Sequence, residues 1–471
     1  MRPLLIGGER IDTKATSKVI NPWNGDVLDE VCLADRDLLD RTATAAHDAF
    51  ARTRKQPPHE RAELLGRIAA GITAQRKDFA QTIVAEAGKP ITYARAEVDR
   101  AIINFTAFAE EARRLGGQLL NAGAFAPGAG HVSVIRRFPV GVVYGMTPFN
   151  FPLNLVAHKL APALACGAPI ILKPSPRTPL STLKLAELAI DCGAVAGQVN
   201  VIHCGNDLAT HLIGDARVHV VSFTGSAAVG KAIAKQAVGK KLTLELGGNA
   251  AVIVHSDADL EAAANSIVGG AFGYAGQSCI SVQRVIVQRD VYASMRNLLI
   301  ARIRAHVHTG DPSRDDVING PMIESGAQNR VVASFRSAVA AGATILTGGA
   351  AEGPCVQPTL LENVPTSHEL WAEEAFAPVA VLAGYETFDD AIRMANDSHY
   401  GLQAGVFTRD IGRTFAAFES LDVGGVMINQ PPTFRLDNLP YGGVKDSGVG
   451  REGAGWAIEE MTEPRVMIIR P

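Results

Sequence analysis

The stretch VHVVSFTGSAAVG, residues 218–230, runs from a short continuous apolar segment into a Gly-Ser pair and then into small residues. It reads as strand, tight turn and helix start. Four further strand-like runs of the same kind lie at 141–145, 168–172, 199–203 and 241–245, with Ala-rich helical segments between them. Short apolar strands alternating with helices indicate βαβ units and a parallel sheet buried on both faces. Ligands of such sheets sit beyond the carboxyl ends of the strands. Three loops fall there: MTPFNFP (146–152), KPSPRTP (173–179) and TGSAAVG (224–230). The last is one glycine short of a GxGxxG fingerprint, and an ordinary strand-to-helix turn explains Gly225 equally well. Gly225 and Ser226 at a helix start nevertheless offer free backbone N–H groups to an anion such as a pyrophosphate. Lys173 adds a cation on the same rim, and Pro174 fixes its backbone. Together these features point to a dinucleotide site.

Outward from this core, the first ~115 residues read as mainly helical. Gly88-Lys89-Pro90 is a stop signal, and a further helix is expected from about Tyr93 to Leu115. GGQLLNAGAFAPGAG (116–130) reads as loop or linker. HVSVIRRFPVGVVYGMT (131–147) reads as two extended pieces split by Pro139. A second α/β alternation runs from about Ala250 to Asn429. The closing EPRVMIIRP reads as a lone strand needing a partner, either HVSVIRRF or another subunit, because an isolated strand is marginal.

With 471 residues, 47% hydrophobic and 20% charged, the chain has material for more than one core. A formal charge of −3 gives no basic field for nucleic acid or an anionic membrane. The longest uncharged apolar run, Ala161 to Leu172, is too short to span a bilayer. The N-terminus carries no signal-peptide pattern, so a soluble cytoplasmic protein is expected. The six cysteines form no CxxC pair and no zinc-spaced cluster, so neither a metal site nor a disulfide framework is expected.

One cysteine stands apart. Cys279, in FGYAGQSCIS (272–281), sits among glycines and polar residues, whereas Cys166 lies inside the apolar PALACGAP. A thiolate nucleophile needs access and local donors, although most free cysteines are buried small hydrophobes. Glu245 ends the apolar run LTLE before two glycines, a costly place for a carboxylate unless it is paired or acts as a base. Asn150 is either a helix N-cap or a donor to a developing oxyanion. If the helix starts at Phe151, Asn150, Asn154 and His158 share one face.

PFNFP, LKPSPRTP, SFTGS, LELGG, GQSC, EEAFAPV and YGGVKDSGVGREG occur in order along nearly the whole chain, with Glu245 and Cys279 34 residues apart. In these motifs the chain resembles the aldehyde dehydrogenase superfamily. The resemblance implies an α/β fold with a Rossmann-like cofactor domain (1–120 and 140–247), an α/β catalytic domain (248–440) and a small β oligomerisation arm (121–139 and 459–471). It implies Cys279 as nucleophile, Asn150 and the Cys279 N–H as oxyanion hole, and Glu245 as the base that activates water. Coenzyme-A-acylating members usually lack that Glu, so the chain is similar to the hydrolytic type.

NAD or NADP is the implied cofactor. Its site would comprise Met146, Thr147, Pro148 and Phe149 after the first strand, with Lys173, Ser175 and Pro176 after the second. Gly225, Ser226 and Val229 follow on the helix start, and Leu246 and Gly247 follow Glu245. Glu374 and Phe376 would lie on the nicotinamide-side ribose. Pro176 stands where NAD-preferring members often carry Glu, and Arg177 follows it, so NADP or dual use is open.

The implied substrate tunnel draws on Phe151, Asn154, Leu155, His158, Ser278 and Ile280, and with Asn154, His158 and Ser278 it is more polar than a fatty-aldehyde tunnel. Arg435 is expected near its mouth, and Arg100 is expected to reach the same space; each could equally be a surface or structural arginine. FRLDNLPYGGVK and PFNFPLNLVAHK most resemble the lactaldehyde and phosphonoacetaldehyde dehydrogenase branch. The expected substrate is a small polar aldehyde, hydroxylated or anionic, and the expected assembly is a homodimer or homotetramer. The competing readings are a thiol-dependent ester hydrolase and a non-enzymatic protein on the same fold.

Overall fold

The computed structural model describes residues 1–471. Its first sheet has eight strands, in the order Glu9–Ile11, Leu4–Ile6, Val199–Val201, Ile170–Lys173, Val142–Met146, Val218–Thr224, Lys241–Glu245 and Gly448–Val449. The middle five are parallel and the flanking strands antiparallel. Taken in chain order from Val142, those five run 3-2-1-4-5, so the connection reverses between Val142–Met146 and Val218–Thr224. That reversal is the switch point at which doubly wound sheets bind ligands.

Alternation along each strand places the core on both faces. Val143, Ile170, Leu172 and Val220 pack against the helices Pro58–Ala74, Ile91–Arg114 and Asn154–Cys166. Val142, Tyr144, Ile171 and Val221 pack on the other face with the helix Arg36–Thr53.

The second sheet has seven strands, in the order Thr344–Thr347, Thr359–Glu362, Val379–Tyr385, Val282–Gln288, Ala250–Val254, Gln403–Phe407 and Gly425–Ile428. Only its first pair is antiparallel. The C-terminal strand Thr462–Ile469 pairs along all eight residues with Val132–Pro139 of the same chain. Gly117–Leu120 adds a third strand, so the stretch expected as linker contributes a strand, and the three-stranded arm begins before residue 121.

The N-terminal region also differs from expectation. Residues 4–32 form four short strands before the first helix, and one long helical pattern breaks at Gln75 into Pro58–Ala74 and Arg76–Ala87. Gly88 ends the second of these at φ 63°, a left-handed cap that glycine adopts without strain.

A buried carboxylate orients the helix that leads from the switch point. Glu97 is buried, pairs with the equally buried Lys89, and accepts the N–H groups of Leu153 (2.9 Å) and Asn154 (3.1 Å). It therefore does for the helix Asn154–Cys166 what a cap residue would do, since Leu153 supplies no side-chain cap. Glu86 repeats the device, accepting from Leu180 N, Ser181 N and Ser181 Oγ at the helix Leu180–Asp191. Glu97→Ala leaves Lys89 buried without its partner. The expected loss is about 3–5 kcal/mol in urea unfolding, with much of it recovered in Lys89→Met/Glu97→Leu. Equal losses in the single and double variants would refute this role.

Candidate active site

The residues before Cys279 adopt a conformation that side chains rarely take. Tyr274 (φ 54°, ψ 39°), Ala275 (φ 52°, ψ 32°) and Gly276 (φ 64°) are all left-handed. Each non-glycine residue in that region costs about 1–3 kcal/mol. Packing holds the turn in place. Tyr274 N–H donates to Ile318 O (2.8 Å), and Ile323 N–H donates to Gln277 Oε1 (3.0 Å). A Cβ on Gly276 would stand 2.0 Å from Ala377 O, and one on Gly248 would stand 2.3 Å from Cys279 O. The cysteine is thus clamped between the Glu373–Val379 loop and the Gly247-Gly248 turn.

Cys279, Glu245 and Asn150 line one cavity of about 370 Å³, together with Pro148, Phe149, Thr224, Gly225, Ser226, Leu246, Gly247, Glu374 and Phe376. The helix begins at Asn154, so Asn150 is not an N-cap and does not share a helix face with Asn154 and His158. Its Nδ2 donates to Gln277 O (3.0 Å), which leaves the second amide hydrogen free, and its Oδ1 is buried without a partner. The Cys279 N–H enters no backbone pair.

Glu245 is buried with both oxygens unpartnered. Burial, and then the charge of Glu452, hold its pKa well above the carboxylate range, against the pull of Arg435, Lys159 and Arg451. Burial likewise pushes the Cys279 thiol up to about 12, with the Tyr441 hydroxyl, 3.1 Å from Sγ, acting in the opposite direction.

The other half of the cavity suits a dinucleotide. Ser226 opens the helix Ala227–Gln236 without a side-chain cap, and no acidic residue occupies its first turn. Its N–H groups are therefore open to an anion. Gly230 lets this helix pack on Leu246, whose side chain a Cβ there would meet at 2.4 Å. Glu374, pushed up to about 7 by burial, accepts Gly248 N–H (3.1 Å). Phe376, at φ 49°, sets its ring edge-on to Phe149, 5.8 Å between centroids. Met146, Thr147, Lys173, Ser175, Pro176 and Val229 are not walls of this cavity. Lys173 is buried at its strand end and Val229 is exposed. Arg177 pairs with Glu324.

The expected substrate residues divide. Phe151 lies edge-on to Tyr274 and over the Lys89 ammonium, and Ile280 packs with Leu402 and Tyr441. Ser278 is partly exposed. Arg435 is not at an open mouth: its side chain is 6% exposed, because Glu452 (2.9 Å), Asp437 (3.3 Å) and the Tyr441 ring (3.6 Å) enclose it. Arg100 does reach the same cluster, gripping Asp437 through two bonds of 2.7 and 2.9 Å. His158 Nε2 donates to Asp437 (2.8 Å), while burial and the adjacent Arg435 depress its pKa.

Sequence reasoning passed over Tyr441, Glu452, Asp437, Lys159 and Arg330, whereas Leu155, expected in the tunnel, does line the cavity. Lys159 lies buried against Ser222 Oγ (3.1 Å), Thr224 Oγ1 (2.8 Å) and Glu452 (3.5 Å), and Arg330 joins the cavity wall. Charged residues inside YGGVKDSGVGREG and an otherwise apolar helix were the available signal.

The aldehyde dehydrogenase family model matches residues 10–467. The 3-sulfolactaldehyde dehydrogenase of Priestia aryabhattai is 39% identical, over 99% of this chain and 97% of its own. Aldehyde dehydrogenase 21 from Physcomitrella patens, solved with the reaction product succinate, superposes at TM-score 0.98 with 36% identity, covering 100% of this chain and 98% of its own. Glyceraldehyde-3-phosphate dehydrogenase GapN from Methanocaldococcus jannaschii, complexed with NADP, gives TM-score 0.93 at 34% identity, covering 98% of this chain and 100% of its own.

Asp437 is the anion that Arg100, His158 and Arg435 share. Asp437→Asn leaves the enclosed Arg435 with Glu452 as its remaining counter-charge and weakens the acceptor of His158, with an expected cost of about 3 kcal/mol by thermal unfolding. An unchanged melting temperature would show that the cluster does not depend on this carboxylate.

Proposed function

The chain belongs to the aldehyde dehydrogenase family, and we propose that it oxidises a small polar aldehyde to its carboxylic acid with NAD+ or NADP+. The observation that carries this reading is the shared cavity, in which a clamped cysteine, a free amide hydrogen and an unpartnered carboxyl adjoin an open helix N-terminus. The Cys279 thiolate adds to the aldehyde carbon. Asn150 Nδ2 and the Cys279 N–H donate to the oxyanion of the resulting thiohemiacetal, as such donors do when fixed in a water-poor site. Bound NAD(P)+ supplies the acceptor for the hydride that an aldehyde, lacking a leaving group, must give up. Gly225, Ser226, Lys173 and Ser175 would hold its phosphate side, and Glu374 and Phe376 its nicotinamide side. Glu245, as carboxylate, takes a proton from water that hydrolyses the Cys279 thioester.

Pro176 places no carboxylate against a 2′-phosphate, so both cofactor forms are admitted, with Arg177 released from Glu324 to meet the phosphate. The sulfolactaldehyde and succinate named for the relatives support the substrate class: a small aldehyde bearing a hydroxyl or an anionic group. The arm leaves Leu119, Val466 and Ile468 exposed, which suits burial in a homodimer or homotetramer.

Cys279→Ala is expected to abolish aldehyde oxidation; near wild-type turnover would sink the assignment. Glu245→Gln is expected to give one burst of NAD(P)H and then slow turnover. Because the native pKa of Glu245 is raised, its base form grows as pH rises, so wild-type deacylation should accelerate towards alkaline pH. Glu245→Gln should lose that rising limb. A panel of lactaldehyde, succinic semialdehyde, a sulfonated aldehyde and hexanal, each with NAD+ and NADP+, tests the substrate class. A highest kcat/KM for hexanal would refute it.

A further inference from the structure

Tyr441 is the one side chain that reaches the sulfur of Cys279: its hydroxyl lies 3.1 Å from Sγ. The phenol is fixed from three directions. Its backbone exchanges both hydrogen bonds with Glu452, N–H to O at 3.0 Å and the reverse at 2.7 Å. The Glu452 carboxylate accepts from Arg435 (2.9 Å), and the Arg435 guanidinium lies 3.6 Å from the centre of the Tyr441 ring. The circuit closes on the same residue from which it starts. Asp437 braces Arg435 from the other side (3.3 Å). A cation on the ring face is attracted to its electrons and makes the O–H a stronger donor. Tyr441 is buried against Ile280 and Leu402, with Cys279 partly buried beside them.

We propose that Tyr441 is a catalytic residue that donates its hydroxyl hydrogen to the Cys279 thiolate, and that Arg435, stacked on its ring, is the positioning residue that strengthens this donation. The interaction serves the resting nucleophile. It supplies the donor that a desolvated thiolate otherwise lacks, because the remaining charged groups near the sulfur, Glu374 and Glu245, disfavour negative charge there and Arg435 favours it only from behind the ring. Once sulfur bonds to carbon, its negative charge moves to the oxyanion facing Asn150, and the phenol loses its strong acceptor. Tyr441 therefore acts on formation and capture of the nucleophile and not on hydrolysis of the thioester.

This inference rests on Cys279 being the nucleophile, and the experiment separates the two. Iodoacetamide is titrated against the wild-type enzyme, with the alkylated residue identified by peptide mass. Inactivation without labelling of Cys279 would overturn the proposed reaction itself. The rate of alkylation is then followed from pH 6 up to the pH at which it levels off, in wild type and in Tyr441→Phe, which keeps the ring. The expected result is an upward move of the midpoint by about one pH unit, a roughly tenfold loss of thiolate at neutral pH. The NAD(P)H burst should slow by a similar factor at neutral pH and recover at high pH, while thioester hydrolysis stays unchanged. Arg435→Lys, which keeps a cation for Glu452 but no planar face for the ring, should move the midpoint in the same direction by less. An unchanged alkylation profile in Tyr441→Phe overturns the proposal. So does a loss of burst rate equal at every pH, which marks a merely structural side chain.

Discussion

Taking a carboxylate out of water costs several kcal/mol unless cations or N–H donors replace the lost solvent. The buried acids of this protein meet that constraint one after another. Glu97 has Lys89 and two backbone N–H groups, and Glu86 has two N–H groups and a hydroxyl. Asp437 has Arg100, His158 and Arg435, and Glu452 has Arg435 and Lys159. Glu245 has no donor at all. It sits at the end of a parallel strand, among neighbours that satisfy each other and leave it out. Burial there raises its pKa well above the carboxylate range, so that the ionised form is a stronger base than an exposed carboxylate.

The same compensated charges carry the architecture to the sulfur of Cys279. Glu97 joins the N-terminal helices to the start of the helix Asn154–Cys166, directly after the loop that bears Asn150. That loop reaches the second sheet's elements through Asn150 Nδ2 and Gln277 O. The left-handed run Tyr274–Gly276 then turns the chain sharply enough to present Cys279 between the two sheets. Its strain is sustained because Ala275 is buried in the core beneath and Gly276 leaves no room for a side chain. Rigidity around the cysteine thus comes from ordinary packing in both sheets, not from the loop itself.

Much of this was legible in the sequence because it depends on local pattern. Apolar runs ended by glycine or proline mark the parallel strands, and the switch-point loops follow from them. Glu245 and Cys279 stood out as groups ill-suited to their neighbours in the chain. The N-terminal strands were not legible: they are short, partly exposed and held by partners as distant as Leu5 to Val201. Gly117–Leu120 reads as linker because its four residues are exposed and gain order only from Val132–Pro139. Arg435 was expected near the tunnel mouth because nothing within its own segment shows that Glu452 and the ring of Tyr441 enclose it. Lys159 was missed for the converse reason, as a single cation at the far side of an apolar helix whose partners come from Thr224 and Glu452.

The enclosed arginine also constrains how an anionic substrate can be recognised. Arg435 is already neutralised by Glu452 and Asp437, and it lies behind the Tyr441 ring. An approaching carboxylate or sulfonate therefore finds Arg100 as the accessible cation of the cluster, its side chain 28% exposed and its guanidinium 5.7 Å from the centre of the Phe151 ring. Arg100 is itself paired with Asp437, so such a substrate gains only the difference between its own contact and the one it shares or displaces. Asn154, on the same helix as His158, keeps its Oδ1 buried without a partner. The charges of the cluster thus satisfy one another, and Arg100 is the one cation of it that keeps appreciable exposure.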